Sequence, residues 1–331
     1  MMRQKWGISI LLIGSLLGMT GCAESSAKQT PKKVSMPADQ PVTNTATQPA
    51  QAELPKPVVV NVIDPNTKAI LKTLIPKEMG FETNPDAYKQ ELEKWARELA
   101  RGSATAPGYD QKMVPDRIDA SGQIIKGKPR VILEESELVE KVMETSVNGG
   151  DVLLPIYVTE SGYKPEDLGA LDEVLLGSYS TYFDNSVSGR SKNIELSAQA
   201  INNTIIGVQD IFSFNTTVGP SDVEHGYQPA KEIVNKQLVD GIGGGICQTS
   251  STLYNAIDKV GVNYIEKNHH SLSVGYVPAG RDATVSYGGK DFQFQNTTGV
   301  PLIIKSIYQR GKLTIEVRTS AAYQTLYAQG N

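Results

Sequence analysis

The chain is poor in the residues that usually announce chemistry. Among its 331 residues are two cysteines, three histidines (His225, His269 and His270), two tryptophans and six phenylalanines. One cysteine, Cys22, closes an apolar leader, so Cys247 stands alone and no intramolecular disulfide is expected between them. A single thiol in the body of a chain is a feature to explain. No basic stripe or strongly positive balance is present: 32 basic residues face 36 acidic ones. Without Arg3 and Lys5 of the leader the balance is more acidic still. That argues against nucleic acid as a partner. The Gly-rich run Gly243-Gly244-Gly245 has no Lys-Ser/Thr after it, which excludes a P-loop. No Cys/His pattern has metal-ligand spacing, and nothing calls for a cofactor.

What is present begins with export. Arg3 and Lys5 precede an apolar stretch from Trp6 to Met19, the layout of a secretory signal. The stretch is too short to span a bilayer comfortably, since a spanning helix needs about 20 apolar residues. Its ending, Met19-Thr20-Gly21-Cys22, resembles a lipobox. The resemblance implies cleavage after residue 21, a lipid on Cys22 and a location at the outer face of the plasma membrane. From Ala23 to about Pro57 the chain is rich in Ala, Ser, Thr, Gln, Pro and Lys. It lacks the apolar surface that would offset the entropy of ordering it, and reads as a tether.

The remainder is long enough for two domains. Residues 58–165 read as a small α+β unit. Strands are expected on both sides of Asp64-Pro65-Asn66, then a helix capped by Asn84 with Pro85 at its first position and Tyr88, Leu92, Trp95 and Leu99 as its apolar stripe. A second helix follows Ser136, one strand is expected at Arg130–Leu133, and the run DVLLPIYVTE is expected to be a single strand. Residues 168–320 read as helices feeding an antiparallel sheet. Asn193 is the expected cap of one helix, and Pro229 to Val239 is expected to be helical. A helix from Cys247 to Val260 is marked by Leu253, Ala256, Ile257 and Val260, with Gly261 ending it. Five strands should follow: Leu272–Val277, Ala283–Tyr287, Phe292–Gln295, Pro301–Tyr308 and Lys312–Val317. The fold class is α+β.

The run Gly243-Gly244-Gly245-Ile246-Cys247-Gln248-Thr249-Ser250-Ser251-Thr252-Leu253-Tyr254 closely resembles the central motif of the VanW family. Phe212-Ser213-Phe214-Asn215, Gly226-Tyr227, His270-Ser271, Tyr276-Val277-Pro278, Gly280-Arg281-Asp282 and Asp291-Phe292-Gln293-Phe294 match further family signatures in order. The resemblance covers about Gly177 to Val317. It implies a cell-wall setting, with peptidoglycan or its precursors as partner, and no particular reaction. The preceding unit resembles the peptidoglycan-binding domain that often precedes VanW domains.

Cys247 follows three glycines and opens a helix. There, unpaired N–H groups and the helix dipole favour a thiolate and offer an oxyanion site. His270, with Asp282 or Asp291 to orient it, would be the general base, and Gly244, Gly245, Gln248 and Tyr276 would line the site. This would make a thiol-dependent acyl transferase or amide hydrolase. The competing reading is a binding or scaffold protein in which Cys247 is a small buried hydrophobe. Tyrosine outnumbers phenylalanine 14 to 6, which fits carbohydrate stacking and ordinary strand surface equally.

Overall fold

The computed structural model describes residues 56–330 apart from Asn235. The leader, Cys22 and nearly all of the expected tether lie outside the described residues.

The first strands, β1 (Val60–Ile63) and β2 (Ile70–Leu74), pair antiparallel across the Asp64-Pro65-Asn66 turn. Asp64 shapes that turn, its Oδ1 accepting the N–H groups of Asn66 at 2.7 Å and Thr67 at 3.1 Å. Helix α1 (Pro85–Arg101) starts as its residues direct: the Asn84 side chain accepts from the N–H of Ala87 at 3.2 Å and Pro85 holds the first position. Tyr88, Leu92, Ala96 and Ala100 form its buried stripe; Trp95 and Leu99 pack at the rim of the same core. Two short strands, β3 (Arg117–Ile118) and β4 (Ile124–Ile125), follow. Then come β5 (Arg130–Leu133), α2 (Glu135–Thr145), β6 (Gly150–Leu153) and β7 (Ile156–Thr159). Strand β6 joins β1 in parallel, and β5 pairs with β7. Both helices close over β1, β2 and β6 to make a first hydrophobic core.

The second core is larger. Its elements are β8 (Val174–Tyr182), α3 (Ser188–Ile201), β9 (Thr204–Ile206), β10 (Ile211–Ser213), the short α4 (Phe214–Val218), β11 (Pro229–Val234) and β12 (Gln237–Ile242). They continue with α5 (Ile246–Ile257), β13 (Asn263–Glu266), β14 (Gln293–Gln295), β15 (Leu302–Gln309), β16 (Lys312–Thr319) and α6 (Gln324–Gly330). One antiparallel sheet runs in the order β4-β3-β9-β15-β16-β8. Strand β16 alternates half-buried and buried residues, with Leu313, Ile315 and Val317 facing α5 and the core. A second sheet, β10-β14-β13, contributes the stacked rings of Phe212 and Phe294, 5.0 Å apart. Because β3 and β4 extend the large sheet, residues from the first half are built into the second, and all described residues fall in one compact unit.

The fold class is the expected α+β, with several local corrections. Pro229–Val239 is a hairpin, β11 with β12, and not a helix; the β-branched Ile233 and Val239 suit a pleated ribbon. Asn193 does not cap a helix. It lies inside α3, fully buried. Leu272–Val277 and Ala283–Tyr287 join no sheet, while β13, not expected, does.

Candidate functional site

Helix α5 is where the buried polar groups gather. Its apolar side, Leu253, Ala256 and Ile257, enters the core, but Gln248, Thr249, Ser250, Ser251, Thr252 and Asn255 are buried as well. Buried hydroxyls and amides require partners. Thr249 bonds Ser197 of α3 at 2.7 Å and Thr252 bonds Thr181 of β8 at 2.8 Å. The rest of the polar face holds residues 281–285. The Asn255 Nδ2 donates to the Arg281 carbonyl at 2.7 Å, Ser251 Oγ accepts the Ala283 N–H at 2.9 Å, and the Cys247 Sγ donates to the Val285 carbonyl at 3.3 Å. Residues 247, 251 and 255 rise one helical turn at a time, and 281, 283 and 285 advance two extended residues at a time. These repeats are about 6 and 7 Å, close enough for a strand-like segment to lie along a helix. This is why Ala283–Tyr287, strand-like in sequence, needs no sheet.

The turn that starts α5 depends on its glycines. Gly245 has φ +118°, which favours glycine. A Cβ on Gly244 would lie 2.6 Å from the Lys231 carbonyl oxygen of β11. Asn193 ties the turn to that hairpin, donating to the carbonyls of Gln228 at 2.8 Å and Gly244 at 3.0 Å and accepting the Gln228 N–H at 2.7 Å.

On its other side the 281–285 segment meets the histidines. The Thr284 N–H donates to the Asn268 carbonyl at 2.8 Å. The alternation aims Asp282 at the same side, where its Oδ2 accepts the His270 N–H and the His270 Nδ1 proton, each at 2.7 Å, and its Oδ1 meets His269 Nδ1 at 2.9 Å. Burial raises the pKa of Asp282, but the His270 backbone N–H and the two imidazoles outweigh it and hold the carboxyl at about 2. An ionised carboxylate only accepts, so Nδ1 carries the proton in both rings. The Lys267 ammonium is 3.0 Å from the remaining nitrogen of His269. Both histidines therefore face one carboxylate, where a strand would have turned them to opposite faces. They border a recess of about 220 Å³ with Ser271, Leu272, Pro278 and Asp282.

Cys247 differs from the sequence expectation. It keeps part of its surface at solvent, yet protein packs around it closely enough that burial pushes the thiol up to about 11. The Arg190 cation, which favours the thiolate, does not reverse that. The resting group is a thiol donating to a backbone oxygen, and no hydrogen bond joins it to His270 among the described residues.

The remaining expected residues have separate duties. Asp291 does not orient a histidine: it accepts from Ser213 Oγ at 2.6 Å, the Asn215 N–H at 2.9 Å and the Phe292 N–H at 2.8 Å, and pairs with Lys112 at 3.4 Å. Gln248 accepts from Arg190 at 2.8 Å and donates to Thr181 at 3.0 Å and the Tyr182 carbonyl at 3.1 Å. Tyr276 lies under the Arg190 guanidinium, 5.8 Å from it. Exposed His225 pairs with Asp222. Sequence reasoning missed Arg190 and the positioning residues Ser251 and Asn255; the spacing of four from Cys247 to Ser251 to Asn255 was the available signal. Among the described residues no group of three or more His, Cys, Asp or Glu side chains is arranged to hold a metal.

Comparison with known proteins covers the same part of the chain. The model of the family described as VanW like protein matches residues 189–318, which contain Arg190, α5, both histidines and Asp282. A Bacillus subtilis protein, YoaR, described as uncharacterized, is 40% identical over 219 residues, 64% of this chain and 72% of its own length. The vancomycin B-type resistance protein VanW of Enterococcus faecalis is 27% identical over 144 residues, 42% of this chain and 52% of its own length. No solved structure matches the chain. The chain belongs to the VanW-like family.

Proposed function

We propose that the protein is a cell-envelope lipoprotein, anchored through Cys22 at the outer face of the plasma membrane, that binds peptidoglycan or its precursors through its VanW-like domain. The leader and the relative named for vancomycin resistance support the setting. The observation that carries binding over thiolate chemistry is the state of Cys247: its thiol donates to Val285 and is held near 11, while His269, His270 and Asp282 border a separate recess. The preceding α+β unit, without His or Cys, adds wall contact. No helix among the described residues is long and apolar enough to cross a membrane; the proposed attachment is the Cys22 lipid.

The test is direct. The purified mature protein should sediment with insoluble peptidoglycan, and the Cys22→Ala protein should leave the membrane fraction of cells. Failure of the mature protein to sediment would overturn the binding role.

One observation favours a second reading. The Asp282–His270 pair is the arrangement a general base requires, so Cys247 would act as nucleophile in acyl transfer or amide hydrolysis if a bound substrate brought its thiol within reach of the ring. Rapid alkylation of Cys247 at neutral pH, lost on His270→Ala, would favour that reading.

A further inference from the structure

Arg190 stands at the start of α5 without a counter-charge. Its guanidinium is mostly buried, and burial lowers its pKa. Among the described residues no carboxylate lies within 4.0 Å of it, and its one side-chain hydrogen bond is to Gln248 Oε1 at 2.8 Å. That acceptor is fixed: the Gln248 Nε2 is committed to Thr181 and the Tyr182 carbonyl, so only Oε1 can face the arginine. A guanidinium has five N–H donors, and most of these have no protein acceptor. Burying a cation unpaired is costly.

A second donor lies in the same place. The Arg190 guanidinium sits over the ring of Tyr276, whose buried hydroxyl has no hydrogen-bond partner. Ser251, which lies near it, already donates to the Cys247 carbonyl at 2.7 Å and accepts from Ala283. The positive end of α5, a helix of 12 residues, adds its dipole. The place therefore holds donors and positive charge without an acceptor to match.

We propose that Arg190 and Tyr276, beside Cys247 at the start of α5, form a subsite for a ligand carboxylate. This rests on the reading that the VanW-like domain binds a wall peptide, and gives that peptide a free carboxylate. A planar carboxylate fits the fork of a guanidinium.

The experiment titrates the mature protein by calorimetry with an N-acetylated dipeptide bearing a free C-terminal carboxylate, and with its C-terminal amide. The acid should bind roughly tenfold or more tightly than the amide, the factor expected for one charge-assisted contact. It should also slow alkylation of Cys247 at pH 9.5. In Arg190→Gln the preference for the acid should vanish, and in Tyr276→Phe it should shrink; matching melting curves establish that the variants fold. Equal binding of acid and amide by the wild type, an undiminished preference in Arg190→Gln, or displacement of the peptide by inorganic phosphate at equal concentration would each overturn the subsite. Sedimentation with peptidoglycan separates this from the broader reading. A protein that prefers the acid yet does not sediment keeps its carboxylate subsite and loses wall binding; one that sediments without preferring the acid does the reverse.

Discussion

His270 gives both its backbone N–H and its ring Nδ1 proton to one oxygen of Asp282, each at 2.7 Å. The carboxyl is held at about 2, against an ordinary value of 3.8. A depressed carboxylate contributes stability that is present above the unfolded value and is lost as pH falls through the folded one. The shift corresponds to about 2 kcal/mol. Asp282→Asn should therefore be less stable than the wild type by about that amount near pH 6, and the difference should close between pH 4 and pH 2. Urea unfolding across that range measures it, and a difference independent of pH would assign the loss to packing.

The thiol moves the other way. With Cys247 pushed up to about 11, the thiolate fraction at pH 7.5 is small. Alkylation should be slower than that of a free cysteine by on the order of a hundredfold, rising through pH 9–11. A raised pKa contributes stability that is complete below the unfolded value and lost as pH climbs through the folded one. The stability difference between wild type and Cys247→Ala should thus be constant below about pH 8 and change between pH 9 and 11. Cys247→Ser retains a donor for the Val285 carbonyl, so its cost should fall at about 1 kcal/mol, the low end for a hydroxyl placed in a buried site. A rate constant at neutral pH equal to that of a free thiol would contradict this account.

Ser251 links the two halves of the site without touching a histidine. Its hydroxyl accepts from Ala283 and donates to the Cys247 carbonyl. Ser251→Ala leaves the Ala283 N–H buried and unpaired, costing about 1–3 kcal/mol. Asp282, next to Ala283, should also lose its fixed aim, so its titration should move back toward 3.8, as read by carboxyl NMR. An unchanged Asp282 titration would show that the histidines alone hold it.

The outer frame was legible in the sequence. Asn84-Pro85 starts α1 as its chemistry dictates, and the period-two runs became β14, β15 and β16 within a residue or two. The site was only partly legible. Cys247 at the helix start follows from position, and Asp282 was one of two candidates to orient His270; the choice between them and the state of the thiol depend on what packs together from distant segments. Arg190 was invisible for a related reason: in sequence it is one basic residue of a polar stretch, and its lack of a counter-charge emerges only when α3 meets α5. The 229–239 run went astray because alternation and helical spacing coincide over so few residues, and Leu272–Val277 because strand-like composition does not supply a strand partner.

The boundary between the two halves makes the last prediction. Buried Asp210 accepts the N–H groups of Gly207 at 2.7 Å and Gly162 at 2.8 Å, and the Ser161 hydroxyl. Burial raises its pKa against those bonds. A chain beginning at Leu168 keeps only the Gly207 contact, and it also loses β3, which pairs with β9 through Arg117 and Thr204. A buried carboxylate stripped of donors is destabilising once ionised. With its folded pKa above the unfolded value, the stability tied to Asp210 is present at low pH and lost as pH rises through the folded pKa. The shortened chain should therefore be less stable than residues 56–331 by on the order of 2–3 kcal/mol or more at pH 7, with a smaller deficit at pH 4. Asp210→Asn should recover part of the loss in the shortened chain while costing stability in the longer one, because the amide oxygen alone cannot satisfy all three donors there. Chemical unfolding of the four proteins at the two pH values decides it. Equal stability of the long and short chains would mean that Ser161, Gly162 and the β3 edge hold nothing that the second half needs.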